Sequence, residues 1–192
     1  MAIVNTALYG QGMTNRLTKE NWLHHGLETL AANGANALKA DPMAKALKVS
    51  RGSFYWHFRD IGDFHAGVIG LWQHRATTRV IEVTQDHDGD RLSQLIKRTF
   101  NADNRLERAI RAWAVQDSEV AKVVATVDDQ RVQYLTELLQ AIGVSQAKAR
   151  LGAKFLYWAY LGQTLAMGAG QSSLSDVDIN DISTLLQALV SD

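Results

Sequence analysis

Met43-Ala44-Lys45-Ala46-Leu47-Lys48-Val49-Ser50-Arg51-Gly52-Ser53-Phe54-Tyr55-Trp56-His57-Phe58 is the stretch on which the fold turns. It reads as two short helices joined by a turn at Lys48-Val49. Ala44 is small enough to let the helices approach, Val49 plugs the turn, and Phe54 and Phe58 sit four apart on an inner face. Arg51, Ser53, Tyr55, Trp56 and His57 are then left pointing partly outward. Such a set is a poor core and a good contact surface. It fits the helix-turn-helix arrangement, whose second helix enters a major groove. There Arg51 can read guanine, and Ser53 can reach a base edge or a phosphate. Tyr55 and His57 can bond phosphates, which position a protein without specifying sequence. A helical hairpin with aromatic core side chains is the plainer reading of the same spacing.

Helical periodicity continues on both sides. Thr18 caps a helix over 19–33, with Trp22, Leu23, Gly26, Leu27 and Leu30 as its apolar stripe, and Gly34 stops it. Asp41-Pro42 reads as a cap followed by proline at the first helical position of a short helix ending near Leu47. Ser50 caps a helix over 51–57, and Asp60 or Asp63 opens a longer one toward Val83. A polar loop over 85–90 precedes helices over about 91–100, 105–115, 118–142, 146–167 and 178–190. A glycine- and serine-rich turn occupies 168–175. No strand-like alternation persists, and there is no internal repeat. The expected fold is all-α, with about nine helices. A flexible N-terminal arm over 1–17 leads into a three-helix helix-turn-helix domain over 18–65. A helical ligand-binding and dimerisation bundle over 66–192 follows.

Composition supports a folded chain. The 192 residues are 46% hydrophobic and carry 20 basic and 20 acidic side chains, which excludes a highly charged disordered chain. The absence of cysteine excludes disulfides, thiolate metal sites and thiol nucleophiles, and fits a reducing, cytoplasmic location. The neutrality hides an asymmetry. Residues 1–75 hold eight Lys/Arg against five Asp/Glu, so the remainder carries the compensating negative excess. A basic N-terminal third suits a polyanionic partner. Residues 1–17 lack the pattern of a signal peptide. The uncharged run from Phe155 to Ser175 holds too many polar side chains in its second half for a membrane span, and is expected to be a buried helix and a loop.

Residues 19–65 resemble the N-terminal domain of the TetR family of transcriptional regulators, without gaps, down to Tyr55-Trp56-His57-Phe58. The remainder is similar in pattern only: helices of suitable length, and Arg111-Ala112-Trp113-Ala114 ahead of a long one. The resemblance implies a homodimer on double-stranded operator DNA, with a small-molecule effector and most commonly a repressor role. It places DNA contacts at Lys39, Ser50, Arg51, Gly52, Ser53, Tyr55, Trp56 and His57. Two positions depart from the family. Asp41 stands where a phosphate-contacting arginine is common, and Ile61 stands where a lysine is common. Arg16, Lys19, Lys45, Lys48 and Arg59 remain as candidate phosphate neighbours. The alternative is a helical small-molecule-binding protein or enzyme whose helix-turn-helix is incidental. A protein–protein adaptor is a third reading.

Other chemistry does not assemble. Asp86, Asp88 and Asp90 mimic the start of a calcium loop, but Arg91 and Lys97 occupy its glycine and glutamate positions. His24 and His25 are adjacent, so they face different ways and make a poor metal pair. Gly168-Ala169-Gly170 lacks a third glycine and a preceding strand. Gly170-Gln171-Ser172 is an incomplete nucleophile elbow. No catalytic residue, metal site or cofactor is expected, and the chain reads as a non-enzyme. Of the aromatic side chains in the bundle, Trp72, Trp113, Tyr134 and Trp158 are the candidates for an effector cavity. Gly152, Ala159, Gly162 and Ala166 form a stripe of small residues. With Ile182 and Leu186 of an amphipathic last helix, they are the candidates for a dimer seam.

Overall fold

The computed structural model describes residues 17–85, 91–166 and 174–187, and of these the backbone alone at 79–85, 166, 176, 183, 186 and 187. Among these residues all regular structure is helical: α1 Lys19–Asn33, α2 Ala40–Ala46, α3 Arg51–His57, α4 Ile61–Gln85, α5 Arg91–Phe100, α6 Arg105–Ala114, α7 Ser118–Ala141, α8 Gln146–Ala166 and α9 Asp176–Gln187. A short 3-10 turn, Ala35–Ala37, links α1 to α2. The fold class is the all-α one expected. Residues 1–16 of the candidate arm over 1–17, the Asp86–Asp90 run and residues 168–173 of the candidate turn over 168–175 lie outside the described residues.

Local chemistry explains the helix ends. Thr18 forms a reciprocal capping box with Asn21 at the start of α1. Gly34, at φ +76°, accepts the positive backbone angle that ends it, and its N–H bonds the Leu30 carbonyl. Two ends differ from expectation. The N-cap of α2 is Lys39 rather than Asp41, so Pro42 is the third helical residue. Proline fits there because first-turn N–H groups have no intrahelical acceptor. The last helix begins at Asp176 because Ser175 and Asp178 bond each other reciprocally, Ser175 N–H and Oγ to Asp178 Oδ2 and Asp178 N–H to Ser175 Oγ. The turn between α2 and α3 holds a feature the spacing does not show. Lys48 has φ +55°, a left-handed conformation unusual for a side-chain-bearing residue.

Aromatic side chains fill the head formed by α1 to α4. Trp22, Phe54, Phe58 and Phe64 are fully buried, with Phe54 5.5 Å from Trp22, 5.1 Å from Phe58 and 5.4 Å from Phe64 between ring centroids. Gly26 makes the α1–α4 approach possible. A β-carbon there would stand 2.7 Å from a Val68 methyl and 2.9 Å from the Phe64 ring. The head is not sealed off at residue 65. The helix α4 runs unbroken past that position, and one core joins Trp22, Phe54 and Phe64 to Ile110, Trp113, Val120 and Val127 of α6 and α7. A second core, built on Leu92, Ile96, Leu139, Ala149, Ala153 and Ile179, holds α5, α7, α8 and α9 together.

Candidate nucleic-acid interface and bundle cavity

Helix α3 has two unlike sides. Phe54 and the following Phe58 are buried against α1 and α4, whereas Tyr55 and Trp56 are 48% and 69% exposed. Arg51, Gly52 and Ser50 are exposed too, and Ser53 and His57 are half-buried. The structure therefore brings Ser50, Arg51, Gly52, Ser53, Tyr55, Trp56 and His57 together on one short helix and its cap. Lys39 is exposed at the start of α2, where its backbone caps the helix. Ser50 occupies the N-cap of α3 but makes no side-chain capping bond, which leaves its hydroxyl for other partners.

A small network organises this face. The Arg51 guanidinium donates to the Tyr55 hydroxyl at 3.1 Å and lies over the same ring, 5.5 Å from its centroid. Its Nε is also 3.2 Å from the Asp41 carboxylate of α2. The Tyr55 hydrogen bond and then Asp41 hold the Arg51 proton more firmly than usual. Asp41, the departure noted in the sequence, is thus the partner of the residue expected to read a base. A pair this exposed is screened by water and weak, so a phosphate or guanine can displace it. Among the other basic candidates, Lys19 sits over the Phe58 ring at 5.1 Å and Arg59 pairs with Asp63 at 3.8 Å. Lys45, Lys48 and Ile61 are exposed.

Between α4, α5, α7 and α8 lies a cavity of about 440 Å³, within the range of small-molecule sites. Its walls include Leu95, Ile96, Phe100, Leu135 and Leu156, with Tyr134, Tyr157 and Tyr160 among the polar-tipped groups. Beside it runs a buried charge network. Arg111 bonds Asp128 through two nitrogens at 3.1 and 2.6 Å and reaches Glu107 at 2.9 Å. Arg131 is bidentate to Glu107 at 3.0 and 3.2 Å. The Tyr157 hydroxyl donates to Asp128 at 2.6 Å. Burial works against the charge on both arginines, yet their carboxylate partners outweigh it and raise both pKa values. Burial, together with the bond to Asp128, also raises the Tyr157 pKa, and burial raises that of Tyr160.

Of the four cavity candidates, Tyr134 is on the wall. The other three are not. Trp72 is buried behind it, with Arg131 over its ring at 5.8 Å. Trp113 is buried in the seam between head and bundle, edge-on to His65 at 5.2 Å, because α6 packs against α1. Trp158 is 63% exposed on the outside of α8. Sequence periodicity cannot tell an aromatic in a wall from one in a seam. It therefore missed Arg75 and Arg98, both of which line the cavity. The Glu107–Arg111 pair and its partners in α7 were not read from the sequence either.

The dimer candidates also divide. Gly152 is buried against its own chain, so it does not belong to an exposed seam. Ile182 is partly buried on the second core. Ala159 and Gly162 are exposed, and a β-carbon at Gly162 would meet nothing within 4 Å. On the same helix α8 exposes Leu151, Phe155, Trp158 and Leu165, and α9 separately exposes Val177 and Leu185. These exposed residues are large apolar side chains as well as the two small ones, not a stripe of small ones. The side chains of Ala166 and Leu186 lie outside the described residues.

Among the described residues, no helix is long and apolar enough to cross a membrane, and no cluster of three potential metal ligands occurs. No family model matches the chain, and no curated protein matches its sequence. Its fold is that of TetR-like transcriptional regulators. A transcriptional regulator from Rhodococcus sp. Rha1 is similar with a TM-score of 0.71 at 17% identity, covering 91% of this chain and 96% of its own. GusR of Salmonella enterica has a TM-score of 0.68 at 19% identity, covering 91% and 95%. A Rhodococcus protein assigned to the TetR family has a TM-score of 0.60 at 16% identity, covering 91% and 98%.

Proposed function

We propose that this protein is a sequence-specific DNA-binding transcriptional regulator that works as a homodimer and releases its operator when a small molecule enters the bundle. The observation that carries this is the two-sidedness of α3. Its inner phenylalanines fix the helix rigidly, while Arg51, Tyr55 and Trp56 present exposed surface to solvent. Arg51, Tyr55 and Trp56 together make a contact surface, and a major groove accepts a helix of this kind. In this reading Arg51 and Ser53 select bases, and Tyr55, His57, Lys39 and Ser50 position the phosphates. The exposed apolar face of α8 and α9 supports a two-fold dimer, which would set two recognition helices about one DNA turn apart, roughly 34–36 Å. The cavity supports an effector, and release of DNA gives a repressor its switch. Such a role belongs in the cytoplasm and needs no catalysis.

The test is selection of bound duplexes from a random pool, at low and at moderate salt. Enrichment of one near-palindromic sequence, with affinity falling as salt rises, is the expected result. Failure to enrich any duplex at low salt would favour a helical small-molecule carrier instead.

A further inference from the structure

Among the described residues, three arginines line the bundle cavity: Arg75 of α4, Arg98 of α5 and Arg131 of α7. Arg131 is already neutralised. It shares Glu107 with Arg111, and Arg111 also holds Asp128, so two cations meet two carboxylates and that network closes at zero net charge. Arg75 and Arg98 are different. Among the described residues, no carboxylate forms an ion pair with either, and none lines the cavity. The neighbouring groove carries Asp129 and Glu137, but both are exposed, and Glu137 accepts from Gln133 at 2.8 Å. Among the described residues, the cavity thus has mostly apolar walls and two arginines without a carboxylate partner. Such a site selects an anion with an apolar body, because a guanidinium meets a carboxylate through two aligned hydrogen bonds.

Arg75 has a second property. Its Nη2 lies 2.7 Å from Nδ1 and 3.0 Å from Nε2 of His24, on α1 of the head. Glu20 stands 3.5 Å from the same imidazole. One side chain therefore touches both the cavity and α1, the helix whose Trp22 packs against Phe54 of α3. A carboxylate in the cavity competes with the imidazole for this guanidinium, and a charged acceptor is the stronger partner.

We propose that the cavity takes an amphipathic organic monoanion, an aromatic or medium-chain carboxylate held by Arg75 and Arg98, and that Arg75 reports its arrival to α1 by leaving His24. The ligand class stands on the cavity alone, whereas the report to α1 rests on the regulator reading above.

The experiment is calorimetric titration of the full-length protein with decanoate and 4-phenylbutyrate, each beside its corresponding alcohol. At least one acid should bind about tenfold or more tighter than its alcohol, the difference one charge-assisted pair makes. Arg98→Gln, at an exposed position, and Arg75→Gln should each reduce that preference. His24→Ala should act in the opposite direction and tighten the acid, since it frees Arg75 from its competitor. A purely structural role for Arg75 would not produce opposite signs from its two partners. Equal binding of acid and alcohol, or no binding of any of the four compounds, overturns the ligand class. The acid should also weaken binding to the selected duplex, and Arg75→Gln should abolish that effect. Acid binding with unchanged duplex affinity overturns the report through Arg75. Acid preference in a protein that binds no duplex upholds the ligand class while sinking the regulator reading.

Discussion

Trp158→Ala separates a dimer seam from a merely apolar surface. The ring is 63% exposed in the single chain, among Leu151, Phe155 and Leu165 on the same helix. A tryptophan offers roughly 200 Å² of surface, so about 130 Å² would leave water in a dimer, contributing about 3 kcal/mol per protomer. A two-fold seam uses the residue twice. Incomplete cover and repacking reduce the sum, and a loss of about 3 kcal/mol for the whole interface is the expected value, or about a hundredfold in the dimer dissociation constant. The assay is sedimentation equilibrium over a concentration series, with far-ultraviolet circular dichroism as control. Helicity should be unchanged, because the ring supports little of its own chain. Wild-type protein sedimenting as a monomer at micromolar concentration, or a variant with the wild-type dimer constant, would refute the reasoning.

On α3, Arg51→Ala and Tyr55→Phe should be non-additive on operator DNA, since the tyrosine hydroxyl holds the guanidinium at 3.1 Å. A double-mutant cycle with a coupling near zero would show the pair to be idle in binding. Lys48→Gly should stabilise the fold by about 0.5–1 kcal/mol, because it relieves a positive φ in the turn. Chemical denaturation measures this, and a loss of stability would contradict it. Gly26→Ala should cost about 1–3 kcal/mol by pushing on Val68 and Phe64. Gly162→Ala should leave the monomer intact, because its β-carbon meets nothing within 4 Å; equal effects on monomer stability would disprove this contrast. Finally, Tyr157 keeps its proton more tightly in the fold than its usual value of 10.0, through burial and Asp128. The unfolded chain then binds fewer protons, so stability should fall as pH rises past about 10. Tyr157→Phe should flatten that slope in urea melts at pH 9 to 11, and an unchanged slope would show the tyrosine to be uninvolved.

The helical elements and the head were legible from local sequence. Thr18, Gly34 and the Phe54–Phe58 spacing act within a turn or two of chain, so caps and faces follow from local rules. The contact character of α3 followed as well, because Phe54 and Phe58 can fill only one side of a seven-residue helix. What lay between distant elements was not local. Asp41 became the partner of Arg51 only when α2 and α3 folded over their turn. Trp72, Trp113 and Trp158 are alike in a periodic pattern, yet packing sent one behind the cavity wall, one into the seam with the head and one to the outside. Gly152 and Gly162 share a helix and a residue type, but ten residues of helical rotation and the position of α7 bury the first and open the second. The meeting of Arg75 with His24 joins positions 51 residues apart. Only the crossing of α4 with α1, permitted by Gly26, brings them together, so tertiary structure alone decided where the cavity touches the head.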